Sequence, residues 1–529
     1  MKTCKIIILA LVILTPKWLI GTPSRGDSKL YIVAPSMEES NIVGMYVDVD
    51  LMHKMDVVQK ILILFNDRQT MMGFVQKYLT SVKVLYAYKI IPALLVECPP
   101  LLLISIDGAD TYIRGLYANR ILRVEKPETS TLGATTNDTA YTIGANVFWE
   151  NGYDGSGIKI CVVDSGIKDD HPELSGKVVA EKSFVRTSLG YERNEYSTDD
   201  YIGHGTIVAG IIAGRGLDPR GQGMAPGALL MNAKVVASDG TITIAGLIAA
   251  IEWAVYGNDG ILGTGDEADI INLSLGSLEF YGSPTPMAIE QATRNGVLVV
   301  CAAGNEGDGG LRSMSINDPS NTPLAISVGA VSPRYDDVEE YTSIGPSVYM
   351  AVKPDIMAPS NVHGLNIYTN GYTLDTVMGT SFSAPHVTGC LALVLEYLRN
   401  RGVSGNVASY IARAVIIHDA SQLIGHSEGA SVEFQDLICG AGLLNMSSVY
   451  DTLEGSTIGD DSYPQLITVL PRRIPVGLSN TSSIVDSPYF PYSDRLFINQ
   501  TVVFNFSITL SKNTTISIDL DGNISNVLT

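Results

Sequence analysis

Hydrophobic and polar positions change rhythm three times along the chain. Residues 58–65 form an apolar run that predicts a strand, and 67–79 carry helical periodicity. A strand follows over 82–91, then Pro92 turns the chain into the apolar stretch 93–106. Residues 109–119 predict a short helix, and 121–124 a last strand. The order is βαββαβ, the split βαβ arrangement of a small α+β domain. Residues 27–57 carry no clear pattern. Residues 126–138 are polar and aperiodic, which predicts an exposed linker open to proteolytic nicking.

From about Tyr141 the pattern becomes one of continuous apolar runs, at 158–163, 228–236, 270–275, 297–302 and 324–328. Helical stretches separate them, at 206–213, 244–256, 286–295 and 383–400. Unbroken apolar strands belong to sheets buried on both faces, and their alternation with helices predicts a parallel, doubly wound α/β sheet. In such sheets functional groups gather at the carboxyl ends of strands. Beyond about residue 450 helical periodicity vanishes, while 501–510 and 515–520 alternate in strand fashion, a short β-rich tail.

Composition narrows the classes. A chain of 529 residues, 46% hydrophobic and 17% charged, is a globular protein of several domains. Its net charge of −20 argues against nucleic acid and anionic membranes as partners. Lys2 and Lys5 precede the apolar run 6–14, which Pro16 and Lys17 end. That is an export signal, too short for a span of roughly 20 residues. No small-x-small site follows it, so an uncleaved anchor stays open as an alternative. Cys4, Cys98, Cys161, Cys301, Cys390 and Cys439 form no close Cys-x-x-Cys pair and predict free thiols over disulfides or zinc. Asn-x-Ser/Thr sequons at Asn137, Asn272, Asn445, Asn480, Asn499, Asn505, Asn513 and Asn523 crowd toward the tail, as in a glycosylated surface. Asn272 falls in a buried strand and is discounted.

Four short motifs stand at the ends of these elements. Asp164 follows the strand in Val162-Val163-Asp164-Ser165-Gly166, and His204 sits in Gly203-His204-Gly205-Thr206. Asn305 follows another strand in Gly304-Asn305-Glu306-Gly307, and Ser381 opens a helix in Gly379-Thr380-Ser381. Singly, each is an ordinary cap, loop or turn residue. Together they hold every residue type of an acyl-transfer site. Serine needs a base, histidine has the matching pKa, a carboxylate fixes the imidazole, and an amide can donate to an oxyanion.

With these motifs the chain resembles a subtilisin-like serine protease (subtilase family) from about Tyr141 to Tyr450. The order Asp, His, Ser is the subtilisin order. Supporting blocks are Ile271-Asn272-Leu273-Ser274-Leu275-Gly276, His171-Pro172-Glu173-Leu174 and Lys353-Pro354-Asp355-Ile356-Met357-Ala358-Pro359. The resemblance implies that Asp164 orients, His204 is general base and acid, Ser381 is the nucleophile and Asn305 the oxyanion donor. It implies substrate contacts along Ser274, Leu275 and Gly276 and a P1-pocket wall at Ala303 and Gly304, with the floor unplaced.

The βαββαβ region is similar to the inhibitory propeptide of such proteases, an intramolecular partner cut away on activation. The expected layout is a signal peptide over 1–25 and a ferredoxin-like propeptide over 26–135 with its core at 57–128. A subtilisin-like catalytic domain follows over 136–452, and a β-rich tail over 453–529. The expected activity is that of a secreted serine endopeptidase on protein or peptide substrates, made as a self-processing zymogen. The alternative is a catalytically silent subtilase-fold binding or surface-layer protein.

Departures from the family pattern are few. Ile207 stands where a second histidine is common. Glu173 matches a position that in some members is an aspartate on calcium, but the loop 215–221 lacks companion ligands. No cofactor is required for catalysis, and structural calcium stays unassigned. His171 and His386 belong to family blocks and read as structural.

Overall fold

The strand Lys159–Asp164 divides its side chains strictly between two cores. Ile160 and Val162 pack with the helices His204–Ala213 and Thr380–Asn400. Cys161 and Val163 pack with Ile244–Tyr256 and Thr285–Arg294. The strand Leu298–Ala302 does the same, with Val300 in the first core and Val299 in the second. Because side chains alternate faces, a strand apolar throughout must be covered on both. Each fully buried Val, Leu or Ile contributes about 1.5–3 kcal/mol.

These relationships come from a computed structural model, which describes residues 19–20, 30–33, 44–106, 113–123, 128–130, 133–278, 283–307, 313–332, 337–349, 351–423, 437–455, 514–518 and 524–528. The large sheet has seven strands, all parallel. In spatial order they are Val178–Ser183, Leu229–Lys234, Lys159–Asp164, Ile270–Leu273, Leu298–Ala302, Ile326–Val331 and Ile356–Pro359. The doubly wound α/β expectation holds. The two edge strands were not predicted. Val178–Ser183 is half exposed, and Ile356–Pro359 begins two residues after Pro354, so neither presents a long apolar run.

The N-terminal unit is a seven-stranded mixed sheet. Within it, strand Gln59–Phe65, helix Arg68–Tyr78, strands Lys83–Ala87 and Ala93–Cys98, helix Pro100–Ile106 and strand Ile113–Ala118 give the order βαββαβ. Its last two elements differ from expectation. The second helix starts at Pro100, where proline's missing N–H costs nothing. The predicted helix over 109–119 is a strand from Ile113. It pairs with Gln59–Phe65 on one side and Gly44–Val47 on the other, and that pairing overrides local periodicity.

Ile121–Arg123 leaves this sheet and pairs antiparallel with Thr241–Thr243 of the large unit. Glu128–Ser130 pairs antiparallel with Thr376–Met378. The linker expectation for 126–138 is therefore corrected. Part of it is a strand, and its end is a capping box in which Thr135 and Asp138 start the helix Thr136–Thr142.

The two units share a core. Leu62, Leu64, Tyr88, Ile90 and Leu95 cluster with Ile244, Leu247 and Ile251. Glu252 caps the turn above it, accepting from the Tyr86 hydroxyl (2.9 Å), the Ile90 N–H (2.9 Å) and the Lys89 N–H. Asn119 bridges to the same helix, accepting from Ala245 N–H (2.9 Å) and donating to the Leu189 carbonyl (3.1 Å).

Cys98, Cys161, Cys301 and Cys390 are buried free thiols, and Cys439 is buried. Cys4, the apolar N-terminal run and the five sequons from Asn480 onward lie outside the described residues. So does most of the tail, apart from the hairpin Thr514–Ile518 with Ile524–Leu528. Among the described residues no helix is long and apolar enough to cross a membrane.

Candidate active site

Asp164 is the last residue of its strand and His204 the first of its helix, so both lie at the carboxyl edge of the sheet. His204 Nδ1 lies 2.8 Å from Asp164 Oδ1, and both side chains are buried. An ionised carboxylate only accepts, so Nδ1 carries the proton and Nε2 is left as an acceptor. Burial pulls the imidazole pKa down, but the Asp164 charge, its hydrogen bond and the Asp200 charge leave it above the ordinary value. Gly205 makes the approach sterically feasible. A Cβ there would lie 2.2 Å from the Gly166 carbonyl oxygen and 3.1 Å from Asp164 Cβ.

Asp200 builds the frame around this pair and escaped sequence reading. Its carboxylate accepts from Ser165 Oγ, the N–H groups of Ile202 and Gly203, and both the N–H and Oγ of Thr206. Ser165 Oγ in turn accepts from Gly205 N–H. The only available signal was an Asp four residues before His204, too common to single out.

Ser381 is the second residue of Thr380–Asn400, whose N-cap Gly379 has φ +134°. Pro385 in that helix has no N–H, so the Ser381 carbonyl four residues earlier lacks its intrahelical donor. Ser274 Oγ fills the gap at 2.7 Å, while Ser381 Oγ donates to the Ser274 carbonyl at 2.9 Å. Phe382 packs its ring 5.3 Å from the His204 ring, which brings the serine's helix against the histidine.

Asn305 lies just past Leu298–Ala302 and is exposed. Its Oδ1 accepts from Thr380 N–H (2.9 Å) and Thr380 Oγ1 (3.0 Å), which turns Nδ2 outward. Among the described residues neither Asn305 Nδ2 nor the Ser381 N–H has a protein acceptor. Ser274, Leu275 and Gly276 follow strand Ile270–Leu273, and Ala303 and Gly304 follow the next one. The structure thus gathers every predicted site residue along one sheet edge. Two further segments, Thr241–Thr243 and Thr376–Met378, are each paired with the chain upstream, and the second runs directly into Gly379. Residues 124–127 alone separate those two pairings in sequence.

Other predicted positions have structural partners. Glu173 accepts from Leu217 N–H (3.1 Å), Asp218 N–H (2.9 Å) and the Tyr372 hydroxyl (2.8 Å). This carboxylate closes the 215–221 loop through hydrogen bonds, and among the described residues no group of three His, Cys, Asp or Glu is placed to hold a metal. His386 bonds the Phe382 carbonyl and Thr139 Oγ1, and burial holds its pKa down to about 4. His171 lies 3.2 Å from the Gly371 carbonyl. Ile207 is buried against Gly364, where an imidazole would lose that packing. Asn272 is buried between Ser274 and Thr388. Asn445 caps the helix Met446–Glu454, with its amide nitrogen on Ser421.

Comparison with known proteins places the chain in a family. The model of the Subtilase family matches residues 155–442. The chain is 34% identical to the major intracellular serine protease of Bacillus subtilis over 54% of its own length and 84% of that protein. It is 30% identical to an alkaline protease of Alkalihalobacillus alcalophilus over 64% of its length and 81% of that protein. With subtilisin NAT of Bacillus subtilis subsp. natto it shares 35% identity over 48% and 59% of the two chains.

Proposed function

The chain belongs to the Subtilase family, serine endopeptidases that need no cofactor for catalysis, and from that premise we propose the roles of its residues and its route to activity. Asp164 orients His204, His204 is the general base and acid, and Ser381 is the nucleophile. The observation that carries this reading is the buried Asp164–His204 hydrogen bond beside the helix whose first turn holds Ser381.

Ser381 Oγ turns from the Ser274 carbonyl to His204 Nε2, gives up its proton there and attacks the scissile carbonyl. Negative charge develops on the carbonyl oxygen, which the Ser381 N–H and Asn305 Nδ2 stabilise. His204 returns the proton to the leaving amine, then activates water to hydrolyse the acyl-enzyme. Asn305 is preorganised because Thr380 grips its oxygen, so little reorganisation accompanies the reaction. The Ser274–Gly276 segment and Thr241–Thr243 take substrate backbone as added strands.

The N-terminal unit, within the expected propeptide 26–135, acts as inhibitor and is cut near its C-terminal end by the site it covers. Support comes from its pairings: Ile121–Arg123 occupies the edge of Thr241–Thr243, and Glu128–Ser130 the edge of Thr376–Met378, the segment that leads into Gly379 and Ser381. Export follows from Lys2, Lys5 and the apolar run after them. The experiment that tests the whole is labelling with a fluorophosphonate: the wild-type protein should take one label at Ser381. No label and no hydrolysis would favour the silent binding protein instead.

A further inference from the structure

The two proposed oxyanion donors, Asn305 Nδ2 and the Ser381 N–H, stand on separate segments, and Tyr341 bonds to both segments. Its carbonyl accepts from Gly307 N–H at 2.9 Å, two residues past Asn305. Its hydroxyl accepts from Gly379 N–H at 3.2 Å, two residues before Ser381. Ser343, two residues on, adds its N–H to the Gly304 carbonyl at 3.0 Å and accepts from Glu306 N–H at 3.1 Å through Oγ. The rigid Tyr341 side chain therefore spans the gap between the Asn305 loop and the turn before Ser381.

Ser360 completes the hold. It directly follows strand Ile356–Pro359 and is wholly buried. Its Oγ accepts from the Tyr341 hydroxyl (2.9 Å) and from Gly379 N–H (3.2 Å), and donates to the Gly379 carbonyl (3.0 Å). A hydroxyl has one proton and two lone pairs, so all three are used. Glycine has little conformational preference of its own, and at φ +134° Gly379 is held by what surrounds it. The peptide unit joining Gly379 to Thr380 is planar, with its C=O and N–H pointing in opposite directions. Ser360 grips the C=O, and the N–H donates to Asn305 Oδ1 at 2.9 Å. Fixing one end of the unit fixes where the Asn305 amide oxygen must lie, and with it the direction of Nδ2.

We infer that Tyr341 and Ser360 are positioning residues for the reaction. They set how Asn305 Nδ2 is aimed and how far it stands from the Ser381 N–H, acting through Gly379 and not on substrate. The inference rests on the endopeptidase reading above.

The test uses the processed enzyme made from the full chain, with active sites counted by fluorophosphonate titration. Tyr341 is half-buried, and Tyr341→Phe removes its hydroxyl while keeping the ring. Tyr341→Phe and Ser360→Ala should each lower kcat about three- to tenfold, the weight of one hydrogen bond, with KM and the acid limb of kcat/KM unmoved. In an Asn305→Ala background the group they aim is gone, and the same substitutions should cost about twofold at most. A peptide aldehyde and its matching alcohol add a binding readout, since only the aldehyde forms a tetrahedral adduct with Ser381. The aldehyde should bind more weakly by the factor lost in kcat, and the alcohol as before. Equal losses in both backgrounds, a change confined to KM, or an unaltered kcat in titrated enzyme would overturn the positioning role. Should Ser360→Ala fail to fold, Tyr341→Phe decides alone. Absence of both label and hydrolysis in wild type would instead overturn the endopeptidase reading.

Discussion

Ser274 and Ser381 exchange hydrogen bonds: Ser274 Oγ donates to the Ser381 carbonyl at 2.7 Å, and Ser381 Oγ donates to the Ser274 carbonyl at 2.9 Å. One bond is structural and the other must break for attack. Pro385 leaves the Ser381 carbonyl without an intrahelical donor, so Ser274 Oγ pins the serine's backbone. On the proposed mechanism, a substrate N–H that took up the same carbonyl would free the hydroxyl, coupling substrate binding to nucleophile release.

Ser381→Ala should abolish turnover by several orders of magnitude, since removing a triad nucleophile leaves only binding and oxyanion effects. If processing is autocatalytic, the variant should also retain its N-terminal unit. In wild type the new N-terminus should fall between residues 124 and 128, the stretch bracketed by the two strand pairings. Terminal sequencing of both proteins checks this. Turnover by Ser381→Ala at the wild-type rate would end the assignment.

Asn305→Ala should lower kcat by about 100- to 1000-fold with little change in KM, because its amide acts on the oxyanion and not on the ground state. Thr380→Val should show a smaller loss of the same kind, since it removes one of two grips on Asn305 Oδ1. Steady-state kinetics on a single peptide separate the two effects. An equal rise in KM for both would point to a binding role.

The pH profile follows from the His204 shift. The base works only when neutral, so kcat/KM should rise with pH through a pKa above the ordinary 6.5. The same upward shift means that protonated His204 stabilises the fold at low pH. That contribution is fully present below the unfolded pKa and lost as pH rises through the folded one. Asp164→Asn removes the main raising influence. Its residual activity should show an acid limb at lower pH, measurable by kcat/KM against pH.

Glu252→Ala should loosen the N-terminal unit, because the carboxylate accepts from Tyr86, Lys89 and Ile90 together. Hydrogen bonds to a charged group contribute about 1.5–3 kcal/mol each, so inhibition after cleavage should weaken about tenfold or more. Recovery of activity over time after processing is the readout. An unchanged recovery rate would show that the shared apolar core alone holds the unit.

Glu173→Ala should lower thermal stability by about 1–3 kcal/mol, since three donors lose their acceptor. Thermal melts of wild type and variant check this, and an unchanged Tm would show that the three donors find other acceptors.

By itself the sequence determined the large sheet and the motifs at its edge. Runs such as 158–163 and 297–302 are apolar at every position, and only a strand covered on both faces tolerates that. Asp164, His204, Asn305 and Ser381 were legible because each sits where a strand ends or a helix begins. Tertiary structure alone decided the rest. Ile113–Ala118 became a strand because two neighbours offered it partners, and Glu128–Ser130 paired with a segment nearly 250 residues away. Asp200 and Glu252 looked like ordinary acids, and their importance lies in backbone N–H groups that converge only on folding. Local sequence encodes which residues are buried and in what rhythm, but long-range contacts choose what each buried polar group must face.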